Sequence, residues 1–193
     1  FGQFNLELNN KQADTYFLLE LSVDQDTRMR CDLIIGCRNI LNGQLVNFGE
    51  ILQIPSTFKL LGLAYSDKNK KVSAYITPLS HLIVSTALKN SQSLNAESIK
   101  IATTLINDAF ELSHSPIQTQ PKDITQLLFN QPIMADEQLK QSILSAAMYP
   151  ETLSIDWSLG NSSIDAIDLK SIISRASELA DGLSKLVEVS NPN

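Results

Sequence analysis

The 193-residue sequence has few of the residue types that metal or covalent chemistry requires. It contains two cysteines, two histidines and one tryptophan, and it has no Gly-x-Ser-x-Gly segment of the kind that presents a nucleophilic serine. Two sulfurs need additional Cys or His ligands to hold zinc, and only His81 and His114 are available. The composition therefore disfavours a zinc site and an elbow-type hydrolase, and we expect no bound metal and no cofactor.

Excess positive charge and long apolar runs are also absent. The formal net charge is -6, and the only cluster of basic residues is Lys68, Lys70 and Lys71, which we interpret as a hairpin tip. This balance argues against a nucleic-acid partner. No run of 18 apolar residues occurs, so no membrane span is predicted in this segment.

The two cysteines that are present, Cys31 and Cys37, are separated by five residues. This spacing predicts a small disulfide-closed loop, and such bridges persist mainly outside the cytosol. We therefore expect an exported chain that works at the outer membrane surface, in the periplasm or outside the cell. A loop of this length stabilises the fold by about 2 kcal/mol. It is either a structural staple at one end of a sandwich or a shaped recognition loop.

The first 76 residues show apolar residues with a period of two in short runs, which is typical of strands. Polar turn residues separate these runs, and residues 66–70 are predicted to join the last two as a hairpin. We interpret residues 1–76 as an antiparallel β-sandwich of the Ig or transthyretin type. The predicted strands are 4–8, 17–23, 45–48, 58–64 and 72–76.

The pattern changes at Thr77-Pro78, because Thr favours the N-cap and Pro the first helical position. Residues 77–193 are predicted to form a helical domain of four to five helices, which makes the chain α+β. The predicted helices are 78–90, 95–110, a short one at 123–129, 135–148 ended by Pro150, and 164–187.

Three motifs resemble a family of bacterial envelope and surface proteins. They are Gly2-Gln3-Phe4-Asn5-Leu6, the pair Met29-Arg30-Cys31-Asp32 and Gly36-Cys37, and the junction Ile76-Thr77-Pro78-Leu79-Ser80-His81-Leu82. In that family a carboxypeptidase-regulatory-like, or transthyretin-like, β-sandwich precedes an Ala/Leu-rich helical segment. The resemblance implies an exported protein of a Gram-negative bacterium, often lipid-anchored or multidomain, without transferable catalytic residues.

The resemblance also implies a difference at the start of the chain. The family's sandwich begins one or two strands before the segment that matches Gly2-Gln3-Phe4, and the chain begins at Phe1 rather than Met. We expect the first strands to be missing from this chain, which would leave a sheet edge exposed. Either they belong to an upstream part, or a protein partner or another domain donates a strand.

The candidate catalytic and ligand-binding residues each have a structural interpretation. His81 is expected to be a partly buried side chain with a backbone or Ser partner, and adjacency on a helix does not make Ser80 and His81 a nucleophile and base pair. A glycosidase-type or metal-binding carboxylate pair would need convergence of distant residues. Asp24 with Asp26 fits a turn, and the two other pairs fit helix starts, where negative charge is favourable. These other pairs are Asp136 with Glu137 and Asp165 with Asp168.

Two ligand-binding alternatives remain. Asp24, Asp26 and Asp32 could bind calcium if their loops converged, although their spacing matches no dedicated loop. Trp157 could contact a sugar or a protein partner if exposed, and otherwise packs in the core.

The sequence therefore predicts a non-enzymatic exported envelope or cell-surface module for adhesion, assembly or structural support. The alternative is an accessory domain of an exported hydrolase that binds a polysaccharide or peptide. An enzyme in its own right is a third hypothesis, and it requires His81 or His114 to face a cleft lined by Asp and Ser.

Overall fold

The computed structural model describes residues 15–31, 36–39, 42–66, 73–91, 93–124, 133–154 and 163–190. Within these ranges the fold is α+β, with short antiparallel strands followed by four α-helices. The strands are β1 (Thr15–Ser22), β2 (Arg28–Arg30), β3 (Cys37–Arg38), β4 (Leu45–Val46), β5 (Ile51–Gln53) and β6 (Lys59–Ser66). The helices are α1 (Pro78–Ser91), α2 (Ala96–Phe110), α3 (Glu137–Ser154) and α4 (Leu169–Ser190), with 3-10 turns at Ile133–Ala135 and Ile164–Ala166.

The described strands form three two-stranded antiparallel sheets, β1 with β6, β2 with β5, and β3 with β4. In the longest sheet, Leu18 is opposite Leu63, Leu19 is opposite Gly62 and Glu20 is opposite Leu61. Directly opposed residues point to the same face. Leu61 and Leu63 thus share one face with Leu18 and Glu20, and α1 packs against β6.

Two helices begin with reciprocal side-chain caps. At α1 the Ser80 N–H donates to Thr77 Oγ1 at 3.1 Å, and the Thr77 N–H donates to Ser80 Oγ at 2.8 Å. At α2 the Ser98 N–H donates to Asn95 Oδ1 at 2.9 Å, and the Asn95 N–H donates to Ser98 Oγ. Each pair satisfies two backbone donors that a helix start leaves without an intrahelical acceptor.

The core lies between the helices and β6. Helix α1 is its centre, because every residue from Pro78 to Ala87 is buried and the helix contacts α2, α3 and β6. Leu61 and Leu63 of β6 belong to the same buried cluster as the apolar residues of the four helices. From α4 the cluster takes Ile172, Ala176, Ala180 and Leu183, which are spaced three or four residues apart along one helical face.

Several predictions about helices are confirmed and two require correction. The starts of α1 and α2 agree with the sequence. Helix α3 was predicted to end before Pro150, but it continues to Ser154. A proline inside a helix removes one N–H donor and its ring crowds the carbonyl four residues earlier, which disfavours the helix locally, but the residues after Pro150 still complete another turn. The predicted last helix is divided, because Ile164–Ala166 is a separate 3-10 turn and α4 begins at Leu169.

The predicted hairpin between residues 58–64 and 72–76 is wrong. Strand β6 pairs with β1, and residues 73–76 contain no strand. Instead, the backbone of Tyr75 and Ile76 approaches β6 at Gly62, where an added Cβ would lie 2.8 Å from Ile76 Cγ1. The edge of β6 that a hairpin partner would need is bonded at Leu61 to Ser80 and His81 of α1. In the described residues the sheets do not close into a sandwich.

Some predictions fall outside the described residues. These are the strand at 4–8, the lysine cluster at 68–71, the short helix at 123–129 beyond Ile124, Asp32 and Trp157. The domain boundary between residues 76 and 77 stays a prediction, and α1 begins at Pro78. Within the described part of the chain, no helix combines the length and the apolar composition needed to cross a bilayer.

Candidate functional site

The edge of β6 that faces away from β1 is closed at Leu61 by the first turn of α1. The Leu61 N–H donates to His81 Nδ1 at 2.9 Å. The Ser80 hydroxyl lies 3.0 Å from the Leu61 carbonyl oxygen and 2.9 Å from the Thr77 carbonyl oxygen, so these two acceptors share its one proton. Both side chains are fully buried. Two consecutive side chains of a helix therefore satisfy the donor and the acceptor that a neighbouring strand would otherwise satisfy.

The hydrogen bonds of His81 define its tautomer. Since the Leu61 N–H can only donate, Nδ1 must be unprotonated, and Nε2–H donates to Ser85 Oγ, which lies 3.0 Å away. Burial lowers the pKa of His81 from 6.5 to about 3, so the ring is neutral near pH 7. In this tautomer Nε2 cannot accept a proton from Ser85, and the pair acts as a structural hydrogen bond.

The same contacts show which edge of the sheet is open. Residue pairs in an antiparallel ladder alternate between pairs that bond to each other and pairs whose backbone groups point outward. Because the Leu61 groups point to α1, the N–H and C=O groups of its partner Glu20 point away from β6. By the same alternation those of Tyr16, Leu18 and Ser22 also point outward. We call these groups the outer edge of β1.

Among the described residues, nothing pairs with the outer edge of β1. Of the described strands only β6 is bonded to β1, and no hydrogen bond from a described loop reaches the backbone of Leu18 or Glu20. The side chains along this edge are partly apolar, with Leu18 43% and Leu21 45% exposed. The single charge, on Glu20, is paired with Lys59 of β6 at 3.0 Å.

A second exposed apolar surface lies in the strands around the disulfide, residues 28–31, 36–39 and 42–53, which we call the disulfide region. The predicted Cys31–Cys37 bond is confirmed, with a Cα–Cα distance of 5.6 Å. Cys31 also joins the ladder, because its N–H donates to the Glu50 carbonyl and its carbonyl accepts from the Gly49 N–H, both at 2.8 Å. The bridge thus fixes β3 to the end of the β2 and β5 pair.

The turn that follows β4 presents apolar side chains to solvent. The Glu50 N–H donates to the Asn47 carbonyl at 3.1 Å, and Gly49 has φ +85°, the left-handed conformation that this turn position requires. On and beside this turn, Leu45, Phe48 and Ile51 are 62%, 57% and 54% exposed. Clustered exposed apolar side chains are typical of interaction surfaces.

The carboxylates are used to hold turns and helix starts together. Glu137 accepts from Ser113 N–H at 3.0 Å, from Ser113 Oγ and from Gln141 Nε2. Burial opposes ionisation of Glu137, but these hydrogen bonds outweigh it and lower its pKa. The Lys122 ammonium donates to Asp136 and lowers the pKa of that carboxyl.

The other predicted carboxylate pairs also occupy local structural positions. Asp24 accepts from Thr27 Oγ1 and from the Asp26 N–H, which lowers its pKa and confirms the predicted turn. Asp168 accepts from Ser171 N–H and Oγ at the start of α4. Asp165 pairs with Lys89 at 3.1 Å. In the part of the chain that the structure describes, no group of three or more His, Cys, Asp and Glu residues is placed to hold a metal ion.

The two histidines have different environments. His81 has the backbone and Ser partners that the sequence predicted, although it is fully rather than partly buried. His114 is exposed and lines a shallow cleft of about 440 Å³. The other lining residues are Tyr75, Gln118, Thr119, Gln120, Asp136, Glu137 and Gln138.

Sequence reasoning missed two features. The first is which serine bonds to His81: the sequence predicts a backbone or Ser partner, and the i, i+4 spacing of His81 and Ser85 on one helix face is the signal that identifies Ser85. The closure of β6 by Ser80 and His81 had no local signal, because it depends on where α1 docks.

Comparisons with protein-family models, with curated proteins and with solved structures find no match for this chain. The resemblance to transthyretin-like envelope proteins therefore depends on the short motifs given above. Of these, the first motif lies outside the described residues.

Proposed function

We propose that this chain is a non-enzymatic module of the envelope or cell surface of a Gram-negative bacterium, where it serves adhesion, assembly or structural support. It binds a protein partner or another domain of a larger surface protein. In this proposal the strands of the first half belong to an Ig-like or transthyretin-like sandwich that a donated strand completes.

The Cys31–Cys37 disulfide is the observation that carries this proposal. A bridge in a chain of this size is stable in the periplasm or outside the cell and is rare in the cytosol. It fixes strands that present Leu45, Phe48 and Ile51 to solvent, and exposed apolar side chains of this kind favour association.

The polar residues of the described helices support a binding role. His81 and Ser80 hold the edge of β6, and Glu137 holds the segment after α2 against α3. These side chains are engaged in structural hydrogen bonds and are held in the tautomer or charge state that those bonds require.

The proposal can be tested by trapping thiols in living cells of the natural host. A maleimide mass tag is added before lysis, with and without prior reduction, and the tagged protein is followed through cell fractionation. Without reduction we expect neither cysteine to react with the maleimide tag. We expect the protein to appear in the envelope or extracellular fraction. A Cys31→Ser variant, which leaves Cys37 unpaired, is the labelling control. Two reactive thiols in the wild-type protein and a cytosolic location would contradict the proposal.

The alternative function is that of an accessory domain of an exported hydrolase, which binds a polysaccharide or a peptide. The cleft beside α3 favours this alternative, because three glutamines, Gln118, Gln120 and Gln138, line it together with Tyr75. Amides and aromatic rings suit sugar hydroxyls and ring faces. Titration with soluble oligosaccharides, followed by NMR shifts of the Gln side chains, tests it, and unchanged shifts would contradict it.

A further inference from the structure

The turn between β3 and β4 carries the only Asn-Gly step of the sequence, Asn42-Gly43. Asparagine is among the residues that change chemically with time and heat. Its side-chain carbonyl carbon, Cγ, can be attacked by the backbone nitrogen of the next residue, and glycine leaves that nitrogen unhindered because it has no Cβ. The geometry of the turn determines whether these two atoms meet.

The side chain of Asn42 is folded back over the peptide bond with which it would react. The Gln44 N–H donates to Asn42 Oδ1 at 3.0 Å, and Asn42 Nδ2 donates to the side-chain oxygen of Gln44 at 3.2 Å. A bond from Oδ1 to the N–H two residues later makes an Asx turn, in which Cγ takes the place of a backbone carbonyl carbon in a turn. The Cγ atom of Asn42 is thus held beside the nitrogen of Gly43.

The Gln44 N–H also favours the reaction electrostatically. Negative charge develops on Asn42 Oδ1 when the nitrogen attacks Cγ, and a backbone donor that is already in place at 3.0 Å stabilises this charge. The bond that orients the side chain therefore also lowers the barrier to ring closure.

The turn leaves room for the new ring. Asn42 and Gly43 are exposed, Gly43 has φ +70°, and no atom of the described residues would lie within 4 Å of a Cβ added to it. The Gly43 N–H donates to the Asn39 carbonyl at 2.6 Å, so this bond must open before the nitrogen attacks. Strands β3 and β4 have two residues each, and such a short, exposed pair opens at little cost in free energy.

We propose that Asn42 is a site of spontaneous deamidation in the folded protein. The Gly43 nitrogen gives up its proton and bonds to Asn42 Cγ, the Cγ–Nδ2 bond breaks, and Nδ2 leaves as ammonia with that proton. Water then opens the cyclic imide at one of its two carbonyls. Opening at Cγ gives aspartate, and opening at the backbone carbon gives isoaspartate, in which the main chain runs through the former side chain. The reaction needs only the chain and water, so it goes beyond the proposed function and does not depend on it.

The two products affect the turn differently. Both add a negative charge to the disulfide region, which also presents apolar side chains such as Leu45. Aspartate keeps an oxygen that accepts from the Gln44 N–H, whereas isoaspartate adds a methylene group to the main chain between Asn39 and Gln44. We expect isoaspartate to break the bond from the Asn39 N–H to the Gln44 carbonyl, which is 2.8 Å long in the unmodified turn.

The test incubates the purified, oxidised chain for several weeks at mildly alkaline pH. Trypsin then releases residues 39–59 as one peptide without cysteine, and mass spectrometry locates any change from amide to carboxyl within it. Asn47 in the same peptide is the matched control, because it is also exposed in a turn but is followed by Phe48. We expect Asn42 to be modified at least about tenfold faster than Asn47, because a side chain on the following residue hinders the approach of its nitrogen.

Two variants separate the reaction from its products. Gly43→Ala should slow the modification of Asn42 at least about tenfold, for the same steric reason. Asn42→Asp reproduces one product, and its Asn39 amide should exchange with solvent hydrogen as slowly as in the wild-type protein. The isoaspartate form, separated by chromatography, should show faster exchange at Asn39 because the bond to Gln44 is lost.

Three results would overturn the proposal. The first is an unmodified Asn42 in the folded chain after an unstructured peptide of residues 39–59 has been converted. The second is equal modification of Asn42 and Asn47. The third is a Gly43→Ala variant that is modified as fast as the wild-type protein. Each result is read from the mass of the chain, so failure here would leave the thiol and fractionation test of the proposed function unaffected.

Discussion

Acidification is predicted to destabilise the protein through His81, well above the pH at which its carboxylates protonate. The folded pKa of His81 is about 3 and its ordinary value is 6.5. Between these values the unfolded chain binds a proton that the folded chain excludes. The stabilisation is complete above the ordinary pKa and is lost progressively as the pH falls below it.

The size of the effect follows from the two pKa values. Each pH unit between them changes the free energy of unfolding by about 1.4 kcal/mol. Lowering the pH from about 7.5 to about 5 therefore removes about 2 kcal/mol. The carboxyls with lowered pKa values, such as Asp136 and Glu137, lose their contribution only as the pH falls below the ordinary carboxyl range.

The measurement is urea unfolding followed by circular dichroism at several pH values across this interval. His81→Leu should lower stability by about 1–3 kcal/mol near pH 7.5, because the Leu61 N–H loses its acceptor, and should flatten the pH dependence. His114→Gln is the matched control, since His114 is the other histidine and is exposed. A His81→Leu variant with the wild-type pH dependence would refute the reasoning.

Three further changes have expected outcomes. Gly62→Ala should lower the free energy of unfolding in urea by about 1–3 kcal/mol, because the new methyl would lie 2.8 Å from Ile76 Cγ1, and an unchanged free energy would contradict the close approach. Glu137→Gln should destabilise the fold above the ordinary Glu pKa and have less effect as acid removes the charge in the wild-type protein; an equal loss at all pH values would argue against a charge effect. Replacing Cys31 and Cys37 by Ser should lower the free energy of unfolding by about 2 kcal/mol, and adding reductant to the wild-type protein should lower it by the same amount. If neither change lowers the free energy of unfolding, the bridge does not stabilise the fold.

The elements that could be predicted from sequence are those with local causes. The side chains of Thr77 and Asn95 each accept a hydrogen bond from the backbone N–H three residues later. A few adjacent residues are therefore enough to predict where each helix begins. The Cys31–Cys37 bridge joins residues that are six positions apart, so it can be predicted without knowing the fold.

The features that could not be predicted depend on contacts between distant residues. Strand β1 pairs with β6 across more than 35 intervening residues. The apolar pattern of residues 72–76 instead predicts a strand that is closer to β6 in the sequence and pairs with it. The backbone of Tyr75 and Ile76 covers Gly62 instead. The extension of α3 past Pro150 is not predicted, because proline removes a donor and crowds the preceding turn and is therefore a typical helix stop.

Locating the outer edge of β1 requires both the sequence motifs and the contacts between distant residues. The motif resemblance implied an exposed sheet edge, but it did not say which strand carries it. The direction of the Leu61 hydrogen bonds to Ser80 and His81 shows that the alternate backbone groups of β1 point away from β6. Among the described residues, no strand pairs with that outer side of β1.

The measurement that tests the central claim most directly is amide hydrogen exchange along β1, followed by NMR on the isolated, oxidised protein. We predict alternation: Phe17, Leu19 and Leu21 exchange slowly because their N–H groups bond to β6, whereas Leu18 and Glu20 exchange quickly. The Leu61 amide should be slow because His81 accepts from it. Slow exchange at Leu18 and Glu20 as well would mean that the edge is already paired within the chain, and would contradict the account.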